Sequence, residues 1–205
     1  MTHELIEFIH IPKCGGTFIK NFIGPDSQDA KDTDLTCKMY RKKHGDCTSL
    51  HLSFEELRMR NVKKFFVAVV RDPCTRLASN YHYDIEIWKK IFGEKVCTTF
   101  ETFVSFLCDN PQMIYKHIHL FPQSHFLLES RKGSTIISKD IHIFSFDQLP
   151  MNIFYFCCQL KIPVKKSNLC KHFNNQDIIY DINEITRKKI EKIYSSDYML
   201  LSKYF

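Results

Sequence analysis

The sequence predicts an α/β protein, a core of parallel β-strands with helices packed around it. Three observations carry this. Residues 65–70, FFVAVV, are apolar without interruption, as a strand buried on both faces must be. Residues 4–11, ELIEFIHI, form a second apolar-rich run, which stops at Pro12. Each run is followed by a turn and then by a stretch of helical periodicity, and strands alternating with helices belong to parallel α/β layers.

The elements follow in order. After the first strand, PKCGG forms a turn, and Phe18, Ile19, Phe22 and Ile23 then make a helical stripe that Gly24-Pro25 ends. Residues 26–48 are polar, charged and without period, so an irregular insertion is expected. Ser53 is placed to cap a short helix with Glu55 and Glu56 in its first turn and Leu57 and Met59 within it. The FFVAVV strand lies between Lys63-Lys64 and Arg71-Asp72-Pro73, and a helix over about 74–88 follows. Residues 100–108 read as a helix ended by Asn110-Pro111. Two further strand candidates are HFLLE at 125–129 and IHIFSF at 141–146. Helices are expected over 147–160, capped by Asp147, and over 183–204, capped by Asn183. No repeat or low-complexity tract interrupts the chain, and its 205 residues suit a single domain spanning 1–205.

Composition excludes several classes. Charged residues make 25% and hydrophobic residues 44%, an ordinary globular balance. No apolar run approaches the ~18–20 residues of a membrane-spanning helix. The N-terminal stretch carries Glu4 and Glu7 and has no basic region of the secretory type. The expectation is therefore a chain without a membrane anchor, in the cytoplasm. The net charge of +6 favours anionic partners but specifies none. The nine cysteines include no C-x-x-C pair, and the ten histidines do not join them at zinc-finger spacing. No metal site is expected. Most of the cysteines lie in apolar surroundings, which points to a reducing compartment; Cys37 and Cys47 are the one local pair placed for a disulfide.

Two motifs carry chemistry. The first is His10-Ile11-Pro12-Lys13-Cys14-Gly15-Gly16-Thr17, between the first strand and its helix. Paired glycines let backbone N–H groups approach an anion, and a helix N-terminus adds positive partial charge. Lys13 contributes a full charge and Thr17 a hydroxyl. The spacing is not that of a Walker A loop, where the lysine follows the second glycine. The second motif runs from Val69 to Tyr81, VVRDPCTRLASNY. Arg71 stands at the C-terminal end of the core strand, where α/β folds bind ligands. Ser79 is two turns into the next helix, so a guanidinium fork and a hydroxyl can meet on one phosphate. Arg76 and Tyr81 read as structural residues, and Asp72-Pro73 as the start of the helix.

PKCGGT resembles the 5′-phosphosulfate loop of sulfotransferases that use 3′-phosphoadenosine 5′-phosphosulfate (PAPS), especially the carbohydrate branch. RDPCTRLASNY resembles the 3′-phosphate element of the same family at every fixed position. Phe121-Pro122-Gln123, IFSFDQLPMNI and the closing Tyr194-Ser195-Ser196-Asp197-Tyr198 resemble further family segments of structural character, so the likeness spans nearly the whole chain. It implies a P-loop-like three-layer fold, with helices on both sides of the parallel sheet. It implies PAPS as donor and 3′-phosphoadenosine 5′-phosphate (PAP) as product. Pro12, Lys13, Cys14, Gly15, Gly16 and Thr17 would hold the 5′ end, and Arg71 and Ser79 the 3′-phosphate. Cys14 stands where the family commonly has Thr or Ser, and a thiol at a helix N-terminus is open to oxidation. Thr48-Ser49-Leu50-His51-Leu52-Ser53-Phe54 resembles in part the G-H-x-S-[FY] stretch of heparan and dermatan 2-O-sulfotransferases. That makes His51 the candidate general base, with His44, Glu55 and Glu56 behind it.

The acceptor implied is a hydroxyl, on a glycan or a small compound. Nucleic acid is not expected as a partner, since no RNP-type or helix-turn-helix pattern occurs. Carbohydrate enzymes of this kind are usually Golgi-anchored, so an unanchored chain points to a bacterial, viral or otherwise cytosolic setting. Two competing readings remain at this level. One is a P-loop nucleotide kinase or phosphotransferase, which the displaced lysine and the lack of a clear Walker B acid disfavour. The other is a non-catalytic binder of nucleotide or polyanion.

Overall fold

The computed structural model describes residues 6–23, 51–60, 65–131, 134–161 and 181–205. The expected insertion over 26–48, with His44 and the Cys37–Cys47 pair, lies outside them, as does Cys170. The described chain is α/β. Strands β1 (Ile6–Ile9), β2 (Phe65–Val70) and β5 (Ile141–Ser145) form a parallel sheet in the order β1-β2-β5. Ile9 pairs with Ala68, and Val70 with Ser145, so all three strands end at one edge. Ala68, Val69 and Val70 are wholly buried, as expected of a strand covered on both faces.

Helices flank this sheet. Helix α1 (Gly16–Ile23) follows β1 through the Gly-Gly turn, and α2 (Phe54–Arg60) precedes β2. Ser53 starts α2 with a capping box: the Glu56 carboxylate accepts from the Ser53 backbone N–H at 2.8 Å, and the Glu56 N–H donates back to the Ser53 hydroxyl at 3.4 Å. The core between sheet and helices gathers Phe22, Phe54, Phe126, Ile153 and Leu201 around Ile9 and Val67.

A second core lies among helices. It joins α3 (Pro73–Tyr83), α4 (Ile85–Phe92), α5 (Phe100–Asp109) and α8 (Glu184–Ile193) through Leu77, Trp88, Phe103, Leu107, Ile190 and Tyr194. Burying a large apolar side chain contributes roughly 1.5–3 kcal/mol, so this cluster holds α3, and with it the second motif, against the rest of the chain.

The structure departs from the sequence-based expectation in four places. The helix over 74–88 is two helices broken at Asp84, whose backbone N–H closes α3 on the Asn80 carbonyl and whose carbonyl opens α4. HFLLE is not one strand: α6 (Gln123–Leu127) passes directly into β3 (Leu128–Arg131), which pairs antiparallel with β4 (Ser134–Ile137). The reason is a tertiary cap, because the Asp197 carboxylate accepts from the backbone N–H groups of Gln123 and Ser124 at 2.9 and 2.8 Å. Asp147 caps nothing; it lies in a 3₁₀ turn, and Pro150 sets the start of α7 (Met151–Gln159). The last helix is divided at Tyr194 into α8 and α9 (Ser195–Leu201), because the Tyr194 ring is anchored in the second core with its hydroxyl donating to the Leu120 carbonyl at 2.9 Å. Asn183 caps α8 as expected, accepting from the Thr186 N–H.

Candidate active site

The two motifs meet at the common end of β1 and β2. The loop leaving β1 takes an unusual path: Lys13 has φ 63° and Gly15 φ 78°, both in the left-handed region. For a lysine this conformation carries a steric cost, and such cost collects at functional sites. Within the loop the Cys14 N–H donates to the Ile11 carbonyl at 3.3 Å. The first-turn N–H groups of α1 have no acceptor within the helix, and a helix N-terminus favours an anion. Gly16 is required for a separate reason. A Cβ there would lie 1.8 Å from Nε2 of His10, so the His10 ring occupies the space a side chain would need. Thr17 is exposed in the first turn of α1.

Arg71 reaches this loop from the end of β2. Its Nη1 donates to the Lys13 carbonyl at 3.4 Å and its Nε to the Thr75 hydroxyl at 3.1 Å, while the guanidinium lies 4.3 Å from the centre of the Phe146 ring. These contacts hold the guanidinium at the mouth of the Lys13 loop. Ser79 sits on α3, half-buried, two turns further along. Asp72 starts that helix by accepting from the Thr75 N–H at 2.9 Å, with Pro73 in the first turn.

Behind the two motifs stands a buried frame. Gln123 donates from Nε2 to the Arg71 carbonyl at 2.7 Å and accepts from the Arg71 N–H at 2.9 Å. The Cys14 thiol donates to the same Gln123 oxygen at 3.2 Å. Asp197 in turn fixes Gln123 from behind. Arg76, 2% exposed, ties the Pro12 carbonyl to the His119 carbonyl, and Asn80 donates to the latter as well. The Pro-Gln segment and the closing Asp-Tyr segment are thus the supports that hold Lys13 and Arg71 in register.

The Lys13 ammonium rests over the Tyr83 ring, 3.5 Å from its centre. Burial pushes its pKa below the ordinary lysine value; the Asp84 carboxylate opposes the shift and the Arg71 charge adds to it. Asp84 itself is buried and bonded to Nδ1 of His119 at 2.6 Å. Imidazoles cluster here. His51 Nδ1 bonds to the His10 carbonyl at 2.7 Å, and its ring lies 4.4 Å from that of His10 and 5.1 Å from that of His119. His117 packs 4.9 Å from His119, and burial, reinforced by His119, brings its pKa down to about 4.

A family model described as the sulfotransferase family matches residues 2–204. The chain belongs to that family. Comparison with curated proteins and with solved structures gives no match. The sulfotransferase assignment agrees with the α/β architecture and its parallel three-stranded sheet. No helix among the described residues is long and apolar enough to cross a membrane. None of their His, Cys, Asp and Glu residues form a group able to hold a metal ion.

One expectation about the sulfotransferase loop needs correction. Cys14 is wholly buried, and desolvation pushes its thiol up to about 11, despite the nearby Arg76 and Arg71. The helix N-terminus does not make it an oxidation-prone thiolate, because its side chain faces Gln123 in the interior. The structure also adds residues that sequence reasoning missed: Tyr83, Asp84, His117, His119 and the frame role of Gln123. The alternating His117-Ile118-His119 just before Pro122-Gln123 was the available signal, but nothing in local sequence linked it to Asp84, 35 positions earlier.

Proposed function

We propose that this sulfotransferase moves the sulfonate of PAPS to an acceptor hydroxyl, releasing PAP, and that the acceptor is of the carbohydrate class. The observation that carries the reading is the pairing of Lys13 and Arg71 across neighbouring strand ends, with the guanidinium bonded to the backbone of the lysine that opens the Gly-Gly loop. This supports two phosphate sites on one nucleotide. The loop from Lys13 to Thr17 would hold the 5′ end, and Arg71 with Ser79 the 3′-phosphate that distinguishes PAP from AMP. Sulfonate transfer, like phosphoryl transfer, depends on positioning and on charge neutralisation at the leaving oxygen. Lys13 is the cation suited to that neutralisation. The acceptor hydroxyl must also lose a proton, and imidazole is the side chain suited to take it near neutral pH. His51 stands among the imidazoles at this edge.

The test is titration calorimetry with PAP, AMP and ATP, followed by labelled PAPS offered with desulfated glycans and small phenols. PAP should bind on the order of tenfold to a hundredfold tighter than AMP, the worth of one charge-assisted contact. Arg71→Ala should erase that preference and Arg76→Ala should not. Equal affinity for PAP and AMP would remove the 3′-phosphate assignment, and activity lost to a chelator would favour the kinase chemistry instead.

A further inference from the structure

We propose that His119, held by Asp84, is the general base that takes the acceptor's proton, and that His51 is the positioning imidazole behind it. The inference rests on the sulfonate-transfer reading and assigns the proton within it.

The resemblance points to His51; in both neutral rings Nδ1 faces an acceptor and the lone pair is on Nε2, so exposure and the charge of the partner separate the two. His51 is buried, with 5% of its surface exposed, and its Nδ1 bonds to a carbonyl oxygen, which can only accept. That bond fixes its ring against the start of the Lys13 loop. His119 is the more exposed of the two, and its Nδ1 bonds to a carboxylate oxygen. A carboxylate accepts, so Nδ1 carries the proton and the lone pair of the neutral ring is on Nε2. The backbone of His119 is also fixed, since Arg76 and Asn80 both donate to its carbonyl. Asp84 is, moreover, the carboxylate whose charge acts most strongly on the Lys13 ammonium. One acidic side chain therefore orients the imidazole and faces the cation that serves the leaving group. An imidazole whose second nitrogen is held by a carboxylate is the arrangement a general base needs.

The charged and titratable groups around His119 fit this role. Asp84 lies at the junction of α3 and α4, Arg76 reaches across from α3, and His51 leads into α2. His117, on the same segment, has a pKa of about 4, stays neutral near pH 7, and accepts the His119 backbone N–H on its Nδ1. Lys13 lies beyond Asp84.

In the step itself the acceptor oxygen bonds to sulfur as the bond from sulfur to the donor's bridging oxygen breaks. The electron pair of the broken bond stays on the departing PAP, and the acceptor's proton passes to Nε2 of His119. Nothing is oxidised or reduced.

Sulfur-labelled PAPS with the best acceptor from the glycan and phenol panel tests the assignment, with PAP calorimetry on every variant. His119→Ala should lose on the order of 10²–10⁴-fold in kcat with PAP affinity intact, and added imidazole should restore part of it. Asp84→Asn should lower kcat with KM little changed and move the acidic limb of the pH–rate profile. His51→Ala should lose less than His119→Ala. Turnover by His119→Ala at the normal rate, or a larger loss in His51→Ala, overturns the proposal and leaves sulfonate transfer standing. A wild-type chain that neither binds PAP nor transfers sulfonate overturns the wider reading instead. Nitrogen NMR of the imidazoles needs no acceptor: the neutral His119 ring should carry its proton on Nδ1, and a proton on Nε2 overturns the assignment.

Discussion

Gly16→Ala tests the coupling of the loop to the histidines most directly. The new Cβ would stand 1.8 Å from Nε2 and 2.1 Å from Cδ2 of His10, where real contacts stay beyond 3.0 Å. The imidazole would have to retreat by more than 1 Å. It has little room, because its ring is stacked on Phe8 at 5.7 Å and tilted against His51 at 4.4 Å, centre to centre. Overpacking of this kind costs about 1–3 kcal/mol. For a chain of this size each kcal/mol lowers Tm by about 2–4 °C. Thermal unfolding with and without PAP reads both consequences, the lost stability and the loss of nucleotide stabilisation as the loop distorts. The double variant His10→Ala/Gly16→Ala supplies the control. Removing the ring opens the space, so the two substitutions should couple by about 0.5–3 kcal/mol rather than add. A Gly16→Ala chain that melts and binds PAP like the wild type would refute the steric argument, as would strict additivity in the double variant.

Three other outcomes are expected. Burial lowers the Lys13 pKa, so its charge is present at low pH and is lost as pH rises through a value below 10.5; turnover should fall on that alkaline limb, and Lys13→Arg should remove the limb, as pH–rate profiles of the two chains will show. Asp197→Ala strips the acceptor from two backbone N–H groups and should destabilise by about 1–3 kcal/mol for each group left unsatisfied, measured by urea unfolding, with PAP affinity falling as Gln123 loses its support. Cys14 should resist iodoacetamide in the folded chain and react only on unfolding; rapid labelling of Cys14 in the native state, detected by mass spectrometry, would contradict its burial.

The local signals were strong where one residue type meets one physical requirement. A continuously apolar run such as FFVAVV has one stable setting, and β2 occupies those same residues, paired in parallel on both sides. Ser53, Asp72 and Asn183 cap their helices because a short polar side chain satisfies the next turn's N–H groups without help from elsewhere. The placement of Lys13 and Arg71 beyond the strand ends was likewise legible, since each lies within a few residues of an apolar run and the turn that closes it. Tertiary structure decided what depends on distant partners. Asp84 breaks a run that looked like one helix and finds His119; Asp197 turns the start of HFLLE into a helix by capping it from 74 residues away. Gln123, marked in the sequence only as part of a Pro-Gln segment of structural character, joins Cys14 to Arg71. The sequence by itself therefore determined the core strands β1, β2 and β5, the caps at Ser53, Asp72 and Asn183, and the turns that carry Lys13 and Arg71 at the strand ends, because each follows from a pattern a few residues long. The clustering of the histidines, and the frame that sets the motifs in register, depend on contacts between residues far apart in the chain, which no local pattern encodes.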